Sequence, residues 1–213
     1  MNSTSLSRLS RFALPILLLS VGCASTHMVS QPNTTLTGRS FRRILVVANF
    51  QSLEHRRLAE ERLSSELASA TACTGVLSSQ VFFPGQDYTP DQMKESIDRL
   101  GIDAVLTLQP IGSGTSSTYV PPTTTTQTSA YVTGNTISGT STSQTSGGYN
   151  LSKPWANFEA VLRTAADGQV AWYATAESGG NAYAGWNNLI KSAAGKTVKC
   201  LVSDGVLERR QPK

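Results

Sequence analysis

The stretch Ala156-Asn157-Phe158-Glu159-Ala160-Val161-Leu162-Arg163, with Asp167-Gly168 and then Val170-Ala171-Trp172-Tyr173-Ala174 beyond it, decides the fold class. Phe158, Ala160 and Leu162 alternate with Glu159, Val161 and Arg163, the period of a strand with one buried face. Asp167-Gly168 favours a two-residue turn, and Val170, Trp172 and Ala174 resume the alternation. A β-hairpin over residues 156–177 follows.

Upstream, Ile44-Leu45-Val46-Val47-Ala48 is a continuous apolar run rich in β-branched residues, as expected of a strand buried on both faces. Residues 52–70 are predicted helical, with Ala59, Leu63, Leu67 and Ala70 on one face and Glu60, Glu61, Arg62 and Glu66 off it. A second strand is expected within 76–83. Thr89, Pro90 and Gln92 then supply an N-cap, a first-turn proline and a capping box for a helix whose stripe is Met93, Ile97 and Leu100, closed by Gly101. Ala104-Val105-Leu106-Thr107-Leu108 reads as a third strand. After the hairpin, a helix from Trp186 to Asp204 turns Ile190, Ala193, Ala194, Thr197 and Leu201 inward. The fold class is therefore α/β (α+β): a mixed sheet of about five strands with three helices, in the order β-α-β-α-β, long Ser/Thr loop, β-β-α.

That loop, 110–150, is mostly Ser, Thr and Gly. Its large apolar groups are only Ile111, Tyr119, Val120, Tyr131, Val132, Ile137 and Tyr149. Ordering a residue costs about 1–2 kcal/mol of backbone entropy, so the insert is expected to be mobile in an isolated subunit and to serve either as the partner-contact region or as a solvated spacer with no role. Gly134-Asn135 is a hairpin signal, so any order is expected around 131–137. A membrane-crossing strand needs about 9–11 residues with an alternating apolar face. Residues 123–128 and 139–148 offer none, which counts against a membrane channel.

The amino terminus sets the location. Arg8 and Arg11 precede Leu14-Pro15-Ile16-Leu17-Leu18-Leu19-Ser20-Val21-Gly22-Cys23, the layout of a bacterial export signal. The end of this run resembles the lipobox of bacterial lipoproteins, with Ser20 where the pattern usually has Leu. The resemblance implies a signal peptide over 1–22 and lipid attachment, with palmitate-type acylation, at Cys23. Ala24 in place of Asp implies sorting to the outer membrane. Cleavage after Ala24 by an ordinary signal peptidase is the competing reading; a retained anchor would fall short of the roughly 20 residues a spanning helix needs. Residues 23–40 are expected to form a flexible tether, 41–207 a single periplasmic domain, and 208–213 a basic tail.

Composition narrows the chemistry. The formal charge of +4 loses two with Arg8 and Arg11, and the remaining cations form no stripe, so no nucleic-acid partner is expected. With Cys23 lipidated, Cys73 and Cys200 remain as one even pair in an oxidising compartment. They are expected to form a disulfide, or else to be two small buried residues. His27 and His55 stand in no metal-ligand spacing, no nucleophile elbow surrounds a serine, and Gly112-Ser113-Gly114 lacks the helix start of a phosphate loop. Trp155, Trp172, Tyr173 and Trp186 would form either a ligand platform or core. The chain is accordingly read as no enzyme, with no catalytic residue, cofactor or metal.

Asp103-Ala104-Val105-Leu106, Asp167-Gly168-Gln169-Val170-Ala171-Trp172 and Ser203-Asp204-Gly205-Val206-Leu207, together with the lipobox, resemble a group of bacterial envelope lipoproteins and related domains. The group comprises TolB amino-terminal domains, curli-secretion-type channel lipoproteins, polysaccharide-export ring lipoproteins and penicillin-binding-protein activators. The resemblance implies a non-catalytic binding or assembly module, with an envelope protein or a second copy as partner. The alternative it leaves open is a subunit of an oligomeric secretion or export channel or ring.

Overall fold

The structure, a computed structural model, describes residues 22–36, 38–133 and 135–210, so the expected signal peptide lies outside the described residues except for Gly22. Eight strands and four α-helices follow one another: β1 (Ala24–Pro32), β2 (Arg43–Ala48), α1 (Leu53–Ala70), β3 (Thr74–Leu77), α2 (Ser78–Val81), α3 (Pro90–Arg99), β4 (Ala104–Val120), β5 (Thr123–Thr133), β6 (Thr136–Ser146), β7 (Tyr149–Thr164), β8 (Val170–Gly180) and α4 (Trp186–Ser203). Six strands form a mixed sheet in the order β1-β8-β7-β4-β2-β3. β2 lies parallel to β3 and β4, and the remaining neighbours are antiparallel. The α/β class and the β2–α1–β3–α3–β4 order agree with the sequence pattern.

One face of the sheet carries the core. Ile44, Val46 and Ala48 on β2, Ala104, Leu106 and Leu108 on β4, and Phe158, Ala160 and Leu162 on β7 meet Leu63 and Leu67 of α1 and Ile190, Ala194 and Leu201 of α4. The expected inner faces of α1 and α4 are buried as read, except that Ala70 at the end of α1 is only partly covered. Glu60 departs from that reading: it is fully buried, accepting from Ser78 Oγ at 2.6 Å and the Ser79 N–H at 3.1 Å. These bonds hold the turn α2 where the sequence pattern predicted that β3 would continue. α3 begins at the expected capping box, with Gln92 N–H donating to Thr89 Oγ1 and Thr89 N–H to Gln92 Oε1. Its Met93 and Ile97 lie near Leu45, Val47 and Val105 on the other face of the sheet, but no residue of α3 is buried and Met93 is exposed, so the expected buried stripe of Met93, Ile97 and Leu100 is only a partly covered one.

Three expectations are corrected. Residues 24–32 are no tether: β1 pairs along its whole length with β8, from Ala24↔Gly180 to Pro32↔Trp172, and Met28 enters the core. The turn after β7 is longer than two residues, closing where the Thr164 N–H donates to the Gln169 carbonyl at 2.9 Å. Within it the Asp167 carboxylate accepts from Thr164 Oγ1 and the Gln169 N–H, and Gly168 takes φ +68°. The insert, 110–150, is strand almost throughout. At the carboxyl end, Arg210 N–H donates to the Ala70 carbonyl and its guanidinium to Ala68, so the described part of the tail docks on α1.

Candidate interaction surface

β4 and β7 outrun the sheet. β2 accompanies β4 only as far as Leu108, and β8 accompanies β7 only from Trp155. Pro110 and Pro154 stand at these two departures, where a strand loses a neighbour and a missing N–H costs no ladder bond. A register shift between Pro110 and Gly112 bends β4 there, a bulge in the strand. Beyond it residues 112–120 pair only with 149–157, and from Thr115↔Pro154 outward the two strands stand alone as a two-stranded ribbon.

Gly112-Ser113-Gly114, which superficially invites a phosphate-loop reading, has a packing role at the ribbon's root. Gly114 pairs with Trp155, and a Cβ on Gly114 would stand 2.8 Å from the indole Cζ2. The indole thus lies across the glycine.

Past Val120 the ribbon is interrupted and resumes. Pro121-Pro122 and Gly147-Gly148 face each other at the joint, where Gly148 N–H donates to the Val120 carbonyl at 2.8 Å. Gly147 has φ +103°, and a Cβ there would fall 2.2 Å from the Pro121 carbonyl oxygen, so no side chain fits. β5 and β6 then form a hairpin of 11 residues a strand, closing between Thr133 and Thr136. The Gly134 half of the expected turn lies outside the described residues, and Asn135 lies in the turn. Three hydroxyl pairs run up one face: Thr124 with Thr145 at 2.8 Å, Thr126 with Ser143 at 2.9 Å, and Thr128 with Ser141 at 3.3 Å. Apart from Ile137, Tyr131 and Ala130 near the tip, the described side chains of this hairpin are Thr, Ser, Gln, Gly and Asn.

No charged residue lies between Asp103 and Lys153. Both edges of the β5–β6 hairpin therefore present unpaired backbone N–H and C=O groups without the charges that usually guard an edge. An isolated two-stranded ribbon is marginal in water, and exposed hydroxyl pairs add little.

The other residues singled out from the sequence do not converge. Cys23 is exposed and immediately precedes β1, its carbonyl accepting from the Asn181 N–H at 3.0 Å. Cys73 and Cys200 are free, buried thiols, not a disulfide. Cys73 Sγ instead donates to the Phe41 carbonyl at 3.0 Å, and burial pushes both thiols above the ordinary range. His27 is exposed on β1 opposite Glu177. His55, expected to be exposed on the first helix, is half-buried and stacks on Trp186 with ring centroids 5.7 Å apart.

Trp172 is in the core, Trp186 packs edge-on against Phe158, Trp155 roots the ribbon, and Tyr173 is partly exposed on the face of the sheet opposite the core. There Tyr173 OH donates to Glu159 Oε2 at 2.9 Å, which holds its hydroxyl above the ordinary phenol range. The four aromatics make no single platform. A cleft of about 490 Å³ opens between the β2–α1 loop and the β4 bulge, walled by Phe50, His55 and Trp186.

The sequence reading missed β1 and the ribbon as strands. Threonine is β-branched and favours strands. The Pro121-Pro122 and Gly147-Gly148 pairs are also equidistant from Gly134-Asn135 in the chain, a symmetry that marks an interrupted hairpin.

Fold and surface together define a class: an α/β domain with a mixed six-stranded sheet that extends an uncharged β-ribbon from one end. Among solved structures, the PelC dodecamer from Paraburkholderia phytofirmans is similar at 14% identity and TM-score 0.47, over 87% of this chain and 99% of that one. A variant of the same protein, also a dodecamer, is similar at 15% identity and TM-score 0.46, over 88% and 99%. Lipoprotein GNA1162 from Neisseria meningitidis is similar at 14% identity and TM-score 0.39, over 76% and 96%. No family model and no curated protein matches the sequence.

Proposed function

We propose that this chain is a non-catalytic, lipid-anchored subunit of a homo-oligomeric export ring or channel of the bacterial envelope, held at the outer membrane through Cys23. The observation that carries the reading is the charge-free β-ribbon with two open edges. In a ring, β5 of one copy runs antiparallel beside β6 of the next, which pairs the free N–H and C=O groups that a monomer leaves to water. Such strand addition draws its affinity from main-chain bonds, so a ribbon of Thr, Ser and Gly serves it without an apolar core. The 11-residue strands have the length of membrane-crossing ones, yet the hydroxyl faces suit a water-filled lumen or a neighbouring subunit rather than lipid. The export layout of 8–23 and Ala24 behind the lipobox cysteine support the location.

Capture of a different envelope protein is the second reading, favoured by the open outer edge of β1 at the end of the sheet. Light scattering of the detergent-extracted protein separates the two. The ring predicts a mass many times the subunit's, falling to that of one subunit when 121–148 is replaced by a short Gly-Ser link. A monomeric wild type, or an unchanged mass after the deletion, contradicts it.

A further inference from the structure

The two ends of the domain differ sharply in chemistry. At one end of the sheet the pairs Ser25↔Gly179, Gly179↔Trp155 and Trp155↔Gly114 form a continuous row from β1 to β4, with Ala24↔Gly180 one step beyond it. Cys23 stands next to Ala24 at the β1 end of that row and the ribbon leaves from its far side. Beside Cys23, Tyr183 is 71% exposed; across the row, Trp155 is 39% exposed. Cys23 has almost no slack, since its carbonyl is bonded to the Asn181 N–H and the next residue is already in the sheet. The opposite end is dense in charge: Arg39 pairs with Asp167 at 3.5 Å, the Asp103 carboxylate accepts from the N–H groups of Arg42 and Arg43, and Arg163 lies nearby on β7.

We infer that the end carrying Cys23, Tyr183, Trp155 and the ribbon root is a membrane-contacting face that rests directly on a phospholipid bilayer at headgroup depth. This inference rests on the proposed lipid attachment at Cys23. Trp and Tyr concentrate at the membrane–water interface, where an apolar ring and a polar tip are both accommodated. Charged groups are costly to bring there without water. A true tether would let the domain tumble above the membrane; β1 removes that freedom and fixes which end faces the lipid. The ribbon then leaves the domain on its membrane side, and Lys153 at its root suits anionic headgroups.

The test uses vesicles of phosphatidylethanolamine and phosphatidylglycerol with brominated acyl chains, which quench nearby indoles. Two samples are compared: the protein as purified from membranes, and a chain beginning at Cys23 whose thiol is coupled to a maleimide lipid. In both, Trp155 should lose most of its emission and shift to the blue, and Trp155→Phe should abolish the quenching. A tryptophan placed at the charged end, as Gln169→Trp in the Trp155→Phe background, should be unaffected. Equal quenching at both ends, or none at Trp155 in the coupled chain, overturns the inference. Absence of acyl mass on Cys23 in the membrane-derived sample would overturn the lipidation reading alone, because the coupled chain reports orientation without it.

Discussion

The Trp172 indole N–H donates to Asp204 Oδ2 at 2.7 Å, and the Ser30 hydroxyl donates to the same oxygen at 2.6 Å. One carboxylate at the carboxyl end of α4 thus ties together β8, β1 and the helix that covers them. The two motifs that carry the sequence resemblance, 167–172 and 203–207, are bonded to each other in space. Hydrogen bonds to a charged group contribute roughly 1.5–3 kcal/mol each. Asp204→Ala is expected to lower stability by about 2–4 kcal/mol, read from the urea midpoint, and Ser30→Ala by less. A double-mutant cycle of Asp204→Ala with Trp172→Phe should show strong coupling; additive losses would contradict the shared bond.

The ribbon root makes a second prediction. Gly114→Val puts branched carbons where the Trp155 indole lies, so the indole must swing out. The domain should keep its cooperative melt, because the core is on other residues, while Trp155 becomes more accessible to iodide and the oligomer weakens. An unchanged Trp155 accessibility would contradict the packing.

Gly147→Ala tests the joint between inner and outer ribbon. The position combines φ +103° with a Cβ overlapping the Pro121 carbonyl, and overlap of this kind costs at least about 1–3 kcal/mol of local strain. Loss of hydrogen-exchange protection in 123–146 with unchanged protection of β2 is expected. Global destabilisation would instead show the joint to be part of the core's cooperative unit.

The buried thiols set an alkaline limit. Burial raises the folded-state pKa of Cys73 and Cys200 above the ordinary value of 9.0, and the bond to Glu159 raises Tyr173 above 10.0. A raised folded pKa means that the contribution is complete below the ordinary value and is lost as pH climbs through the folded value. Stability should therefore fall above about pH 9, and less steeply in the Cys73→Ala/Cys200→Ala variant. At neutral pH in the unlipidated chain, a disulfide-exchange reagent should titrate Cys23 at once and the other two only on unfolding. Fewer than three thiols after unfolding would reinstate the bridge.

Most of the domain was legible in the sequence because its elements announce themselves locally. The capping box at Thr89, the 3.6-residue stripe through Leu63 and Leu67 and the alternation through Phe158 and Leu162 each specify an element without help from the rest. β1 was not legible. Along 24–32 only Met28 is a large inward apolar side chain, and the strand exists because β8 offers its edge. The ribbon was missed for the converse reason: judged by burial alone its hydroxyl-rich residues have nothing to bury, and strand propensity and the symmetric Pro and Gly pairs carry the signal. Glu60 was misassigned because helical periodicity cannot foresee a carboxylate turned inward to cap a turn, nor can cysteine parity foresee that Cys73 points to Phe41.

The pairing of ribbons between copies is tested most directly by a photocrosslinker. A benzoylphenylalanine replaces Gln127 on β5 in the intact, membrane-extracted protein, prepared from a mixture of isotopically light and heavy copies. After illumination the account predicts a ladder of covalent multimers whose crosslinked peptides join residue 127 of a light copy to residues 136–146 of a heavy one. Crosslinks confined within single copies, or leading only to other envelope proteins, would contradict it.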